Sequence, residues 1–293
     1  WNKKHNIAIF DQCLENHFNS FTKKIKRIYV KKIFPFKEFL KLAFCLGFHR
    51  KRKIKQAQNV VSSLFMSEEL IDKIGDHYYG FVFDNNKILS KENVCWIYND
   101  LRLDRKNARM KLDKIGRTHY FLSDLFSWKD LFVAFFEATK TSRSITNFYK
   151  EYGVPKIAFD NFVSKKFPQS YFTNLGLNCF PIFEFLIYRL YKKAFKIISP
   201  TRFVYPYEER PFERAMLIAT KNVEKKILSI GYAHASYSKG HMYLKRQDQV
   251  TIPSPSAIAV TGIVPKNRFI IEGFDNDRII NIGSPRYNIT CRT

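Results

Sequence analysis

A chain of 293 residues can bury one large core or two ordinary ones, and its 45% hydrophobic content is normal for a soluble globular protein. Five scattered cysteines (Cys13, Cys45, Cys95, Cys179, Cys291), odd in number and never in a C-x-x-C pair, argue against a disulfide framework or a zinc ribbon and fit a reducing cytoplasm. A formal net charge of +24 suggests an anionic partner (nucleic acid, a phosphorylated substrate or an anionic bilayer surface), against the plainer reading of a lysine-rich solvated surface.

The chain opens on Trp1 with no basic-apolar-small-residue signal ahead of its first periodic segment, so its true start or a targeting segment is expected to lie outside it. Residues 21–55 then carry thirteen Lys and Arg against the single acid Glu38, half of the net charge. Phe21, Ile25, Ile28, Tyr29, Ile33, Phe36, Phe39, Leu40, Leu42, Ala43 and Phe44 are interleaved at spacings of three and four, which predicts amphipathic helices broken near Pro35. Such a stripe can pack inward, lie on a membrane surface or serve nucleic-acid binding. Residues 56–74 read as a further helix, and residues 78–83 as a short strand ending in the turn Asp84-Asn85-Asn86. Helices are expected over 128–138 and 145–152, the second closed by Gly153-Val154-Pro155, and over 180–198 with a boundary at Ser199-Pro200. The most apolar stretches, 125–138 and 180–198, are interrupted by charges, whereas a spanning helix needs roughly 20 mostly apolar residues, so no transmembrane helix is expected.

Beyond Pro200 the texture changes to short strands alternating with helices. Strands are expected at 202–205, 226–231, 257–260 and 278–282, with helices at 211–222 and 266–273, a β-α-β sequence that implies a parallel sheet. Ligands of such a sheet collect where loops and helix N-termini converge, at the carboxyl ends of its strands. There lie Tyr207-Glu208-Glu209-Arg210, Tyr232-Ala233-His234-Ala235-Ser236, Thr261-Gly262 and Gly283-Ser284-Pro285-Arg286. Glu208 and His234 are the catalytic candidates, since a carboxylate can take the proton of a sugar hydroxyl and a histidine can do the same or pair with phosphate. The plainer alternatives are a carboxylate capping the helix at Pro211 and a histidine bonded to backbone. Glu213 could cap that helix, bind acceptor or pair with Arg210, while Arg210 and Arg214 could hold an anionic acceptor or neutralise the carboxylates. Gly283, Ser284 and Arg286 combine a flexible glycine, a hydroxyl and a guanidinium suited to phosphate.

These residues carry a resemblance. The series Tyr205-Pro206-Tyr207-Glu208-Glu209-Arg210-Pro211-Phe212-Glu213-Arg214-Ala215, then Ile230-Gly231-Tyr232-Ala233-His234, then Ala257-Ile258-Ala259-Val260-Thr261-Gly262, then Arg278-Ile279-Ile280-Asn281-Ile282-Gly283-Ser284-Pro285-Arg286-Tyr287 resembles bacterial surface-carbohydrate enzymes of GT-B type. It is similar in layout to Kdo and related capsule or lipopolysaccharide sugar transferases, and more distantly to polymerases using CDP-glycerol. The resemblance covers about 85 residues, with Ala233-His234-Ala235 in place of the Gln-His-Gly turn common in relatives.

The resemblance implies an α/β fold with a Rossmann-like parallel sheet, the first half of a GT-B fold, preceded by a basic, largely helical region. The expected organisation is a basic helical region (1–75), an α/β or mainly helical part of the acceptor domain (76–200), its Rossmann-like end (201–287) and a truncated linker (288–293), with the donor domain absent and the chain inactive alone. Glu208 and Glu213 would be acceptor-side acids, His234 a cleft residue, Arg210, Arg214 and Ser236 substrate contacts, and Gly283 to Arg286 the entry to the interdomain crossover. The implied reaction moves a sugar from a nucleotide-activated donor, a CMP-sugar among the options, to a saccharide or lipid-linked acceptor. It is expected to need no other cofactor and no metal. The expected location is cytoplasmic, with the basic segment at the anionic inner-membrane surface. Two other classes compete: a nucleic-acid-binding protein, which no zinc knuckle, RRM-like signature or Gly-x-x-Gly loop supports, and a non-catalytic interaction module.

Overall fold

The computed structural model describes residues 33–47, 52–64, 76, 78–80, 83, 93–99, 105–152, 181–208, 210–234 and 253–284. Its strands are β1 (Asn59–Leu64), β2 (Val94–Asn99), β3 (His119–Phe121), β4 (Arg202–Pro206), β5 (Leu228–Ala233), β6 (Ala257–Val260) and β7 (Ile279–Asn281). The helices are α1 (Phe34–Leu46), α2 (Arg105–Lys114), α3 (Leu122–Leu125), α4 (Trp128–Tyr152), α5 (Ile182–Ile198), α6 (Pro211–Lys221) and α7 (Ile263–Ile271). All seven strands run parallel in one sheet of order β3-β2-β1-β4-β5-β6-β7. The parallel α/β architecture expected for the region after Pro200 therefore extends back to Asn59, across residues 75 and 200.

The helix expected over 56–74 is corrected: its first part is β1, in the middle of the sheet, while residues 65–74 lie outside the described ones. The physical reason is burial on both faces. Val60 and Val61 point to opposite sides and neither is exposed, so β1 shows no period-two alternation to set it apart from a buried helix. The same holds for β2, where Cys95, Trp96, Ile97 and Tyr98 are all buried; burial there pushes the Cys95 thiol up to about 12. Neither β2 nor β3 was anticipated. The strand expected at 78–83 is also corrected: Tyr78 and Tyr79 form a turn closed by an isolated bridge between Asp76 and Gly80, and Gly80 takes a φ of +56° that favours glycine. Its closing turn, residues 84–86, lies outside the described residues.

Side-chain alternation along the strands assigns the two faces. On one, Trp96 and Tyr98 stack two residues apart at 5.6 Å and join Val61, Phe121 and Tyr232 in a cluster with Ala108 and Leu112 of α2. On the other, Phe203 and Tyr205 stack at 5.4 Å, and Phe203 meets Tyr191 and Phe195 of α5 at 5.8 and 5.0 Å. Helix α5 buries Leu186, Leu190, Tyr191, Ala194, Phe195 and Ile198, a stripe at helical spacing. It ends where Ser199 turns to φ +53° ahead of Pro200, as expected.

The two helices expected within 128–152 form one continuous α4. Its start is fixed by Ser127, whose Oγ accepts from the Asp130 amide at 3.3 Å and donates to the Asp130 carboxylate at 2.5 Å. Pro35 stands in the first turn of α1, where its missing amide costs no hydrogen bond. The chain divides into two compact units, 1–41 with 135–182, and 42–134 with 183–293; the sheet belongs to the second. In the first, Phe39 of α1 meets Phe135 of α4 edge to face at 5.4 Å.

Candidate active site at the switch point of the sheet

After β1 the chain builds β2 and β3 on one side, then returns to lay β4 against the other side of β1. The two connections leave the carboxyl ends of β1 and β4 in opposite directions, which opens a crevice there, the usual ligand position in an open parallel sheet. A narrow cleft lies at that point. Ser62 and Ser63 line it from β1, Asn99 from β2, Pro206 and Glu208 from β4 and the turn after it, Tyr191 from α5 and Phe212, Glu213 and Met216 from α6, with Tyr78 beside them.

Glu208 and His234 come together because β4 and β5 are in register. Pro206 pairs with Tyr232, and the Tyr207 amide donates to the Tyr232 carbonyl at 2.8 Å, which carries the ladder one residue further. Two residues on, the Glu208 carboxylate and the imidazole meet: His234 Nε2 lies 3.3 Å from Glu208 Oε1. The other carboxylate oxygen faces Arg210, with Nε 2.5 Å from Oε2. With its side chain 58% exposed, Arg210 adds little energy by this contact but restricts the carboxylate's rotation. The Tyr78 and His234 rings meet edge to face with centroids 4.6 Å apart, so His234 has a ring contact as well.

Glu213 works from below. It is buried in the first turn of α6, and its two oxygens accept the Glu208 amide at 3.1 and 3.0 Å. That helix has no side-chain cap at Arg210, so the Glu213 carboxylate also supplies the negative charge that a helix N-terminus favours. Its observed role is to hold the Glu208 backbone. Gly231 contributes by having no side chain: a Cβ there would stand 3.0 Å from Cγ of Tyr207, the residue that leads into Glu208.

A second polar group borders the cleft, and sequence reasoning missed it. Asp76 is buried and accepts from Ser63 Oγ at 2.7 Å and from the Tyr78 and Tyr79 amides at 2.9 and 3.2 Å. Burial raises its pKa, opposed first by the Ser63 hydroxyl and then by the amides. Ser62 shares a 2.7 Å hydrogen bond with the Tyr191 hydroxyl, and its carbonyl accepts from Tyr79 at 3.2 Å. Asp76 thus fixes the turn that carries Tyr78, and Tyr78 packs on His234. The available signal was a pair of serines followed by an aspartate ahead of an aromatic pair, in a segment whose helical reading put them elsewhere.

The remaining expected contacts divide. Arg214 is half-buried on α6, one residue beyond Glu213. Gly283, at φ +73°, and Ser284 follow β7, two strands from β5 and three from β4, so at the usual interstrand spacing they stand about 10 Å from the end of β5 and about 14 Å from that of β4. Thr261 and Gly262 end β6 between them. Ser236, Arg286 and Glu209 lie outside the described residues. Among the described residues no group of three or more His, Cys, Asp or Glu is placed to hold a metal ion, and no helix is long and apolar enough to cross a membrane. No protein-family model matches the chain, and no curated protein or solved structure is significantly similar to it.

Proposed function

We propose that this chain is the acceptor-binding side of a GT-B glycosyltransferase of bacterial surface-polysaccharide assembly, with Glu208 as general base. The observation that supports it is the Glu208 carboxylate, held between Arg210 and His234 at the rim of the switch-point cleft. The reaction class comes only from the pattern of residues read above in 202–287, by analogy with surface-carbohydrate transferases. In this reading an acceptor hydroxyl enters the cleft and gives its proton to Glu208 as its oxygen attacks the anomeric carbon of the donor. The bond from that carbon to the nucleotide phosphate breaks, and the nucleotide leaves with the bonding pair. Both partners of Glu208 act on its position: Arg210 holds one oxygen, and His234, pinned by Tyr78, stands against the other.

Glu208→Gln keeps the shape of the side chain and removes the base. Combined with a nucleotide-sugar-binding domain and a saccharide or lipid-linked acceptor, the variant should lose about 10²–10⁴ in kcat with acceptor binding nearly unchanged. Transfer at the wild-type rate would remove Glu208 from this role.

A further inference from the structure

Helix α1 turns an apolar stripe outward. Phe36, Leu40 and Phe44 follow one another at i, i+4 and i+8, and their exposure runs from 39% to 71%. At 100° per residue they fall within an arc of about 80°, away from the buried Leu42 and Leu46, with the buried Ala43 at the edge of the arc beside Phe36. Lys37 and Lys41 continue the same sweep and border the stripe, and both are exposed. Helix α4 repeats the arrangement with Trp128, Phe132 and Phe136, again at i, i+4 and i+8 and from 42% to 67% exposed, bordered by the exposed Lys129 and Lys140.

Charge decides what covers such a stripe. Residues 21–55, which include α1, hold thirteen basic residues against one acid, so a second copy docking through this face would oppose two strongly like-charged segments. A nucleic acid would pair its phosphates with the lysines and stack bases on the phenyl rings, but it offers nothing to the aliphatic Leu40 between them. An anionic phospholipid surface satisfies both, with acyl chains for the phenyl rings and headgroups for the lysines. We infer that α1 docks on an anionic membrane through Phe36, Leu40 and Phe44, with Lys37 and Lys41 at headgroup level. The inference stands apart from the reaction proposed above, because docking needs neither donor nor acceptor.

The test is sedimentation of the full chain with vesicles of phosphatidylcholine alone and of an equimolar mixture with phosphatidylglycerol. Binding is expected to the anionic vesicles and to fall in high salt. Phe36→Ser with Phe44→Ser, both at exposed positions, should weaken it at least about tenfold with the circular dichroism spectrum unchanged. Lys37→Glu and Lys41→Glu should each weaken it about fivefold or more. As a reading independent of loss, Phe44→Trp should gain fluorescence that lipids with brominated acyl chains quench. Absence of vesicle binding, equal binding by the double serine variant, or indole fluorescence of the Phe44→Trp variant untouched by brominated lipid would each overturn the inference. So would a dimer in light scattering that the double variant abolishes, or oligonucleotide binding that depends on the same two phenylalanines.

Discussion

Removing the Glu213 carboxylate should unseat Glu208 without touching it. Glu213 is 2% exposed, and both of its oxygens accept the same amide, that of Glu208, at 3.0 and 3.1 Å. A hydrogen bond to a charged group contributes about 1.5–3 kcal/mol, and a carboxylate in the first turn of a helix adds about 0.3–1 kcal/mol. Deleting the side chain also relieves the cost of keeping a carboxylate away from water, which offsets part of that sum. A net loss of about 2 kcal/mol is therefore expected for Glu213→Ala. Glu213→Gln retains one acceptor oxygen and should lose about half as much. Urea unfolding followed by circular dichroism reads this directly: at a slope of about 2 kcal/mol/M, the alanine variant's midpoint falls by about 1 M. The functional arm is the transfer assay proposed for Glu208→Gln, in which both variants should lose kcat in the same order as they lose stability. An alanine variant within about 0.5 kcal/mol of wild type would refute the account of how Glu208 is positioned.

Gly231→Ala inserts a methyl group 3.0 Å from the Tyr207 ring and 3.2 Å from Pro255, and should cost about 1–3 kcal/mol in thermal or urea unfolding, with a fall in the proposed transfer rate because Tyr207 leads into Glu208. An unaltered midpoint would mean that the ring moves freely. Acid should act through His119, which is buried with Nδ1 2.9 Å from the Arg117 carbonyl; burial lowers its pKa from 6.5, and Arg52 and Arg109 push the same way against Asp113. Because the folded state binds the proton less well than the unfolded state, stability is whole above about 6.5 and declines as pH falls from there toward the lowered folded-state value. Replacing His119 with Gln should flatten that part of the melting temperature against pH; an identical slope in the variant would assign the dependence to other groups.

The carboxyl half of the fold was readable because its strands are short, its turns carry Gly and Pro, and its helices begin at recognisable signals such as Pro211. Strands β4 to β7 fall within one or two residues of their expected ends, and the alternation alone implied a parallel sheet. The amino-terminal strands were not readable for a physical reason: Asn59–Leu64 and Val94–Asn99 are buried on both faces, and a strand of that kind has no polar side to give it a period. In β1 the apolar pair Val60-Val61 is followed by the equally buried Ser62-Ser63, and in β2 residues 94–98 are apolar without a break, so neither segment alternates.

The candidate site divides along the same line. Local sequence determined that Glu208 and His234 would stand just past strand ends, since that depends only on where each strand stops. Their 3.3 Å approach depends on the register of β4 with β5, which brings together residues 26 positions apart and leaves no trace in local pattern. Tertiary structure also decided the place of Ser62 and Ser63, which line the same cleft only because β4 returns to pair with β1, and of Asp76, which accepts from Ser63. The charge of residues 21–55 was present in composition, but which of the interleaved apolar residues are exposed was set by what α1 packs against: Leu42, Ala43 and Leu46 are buried, and Phe36, Leu40 and Phe44 are exposed.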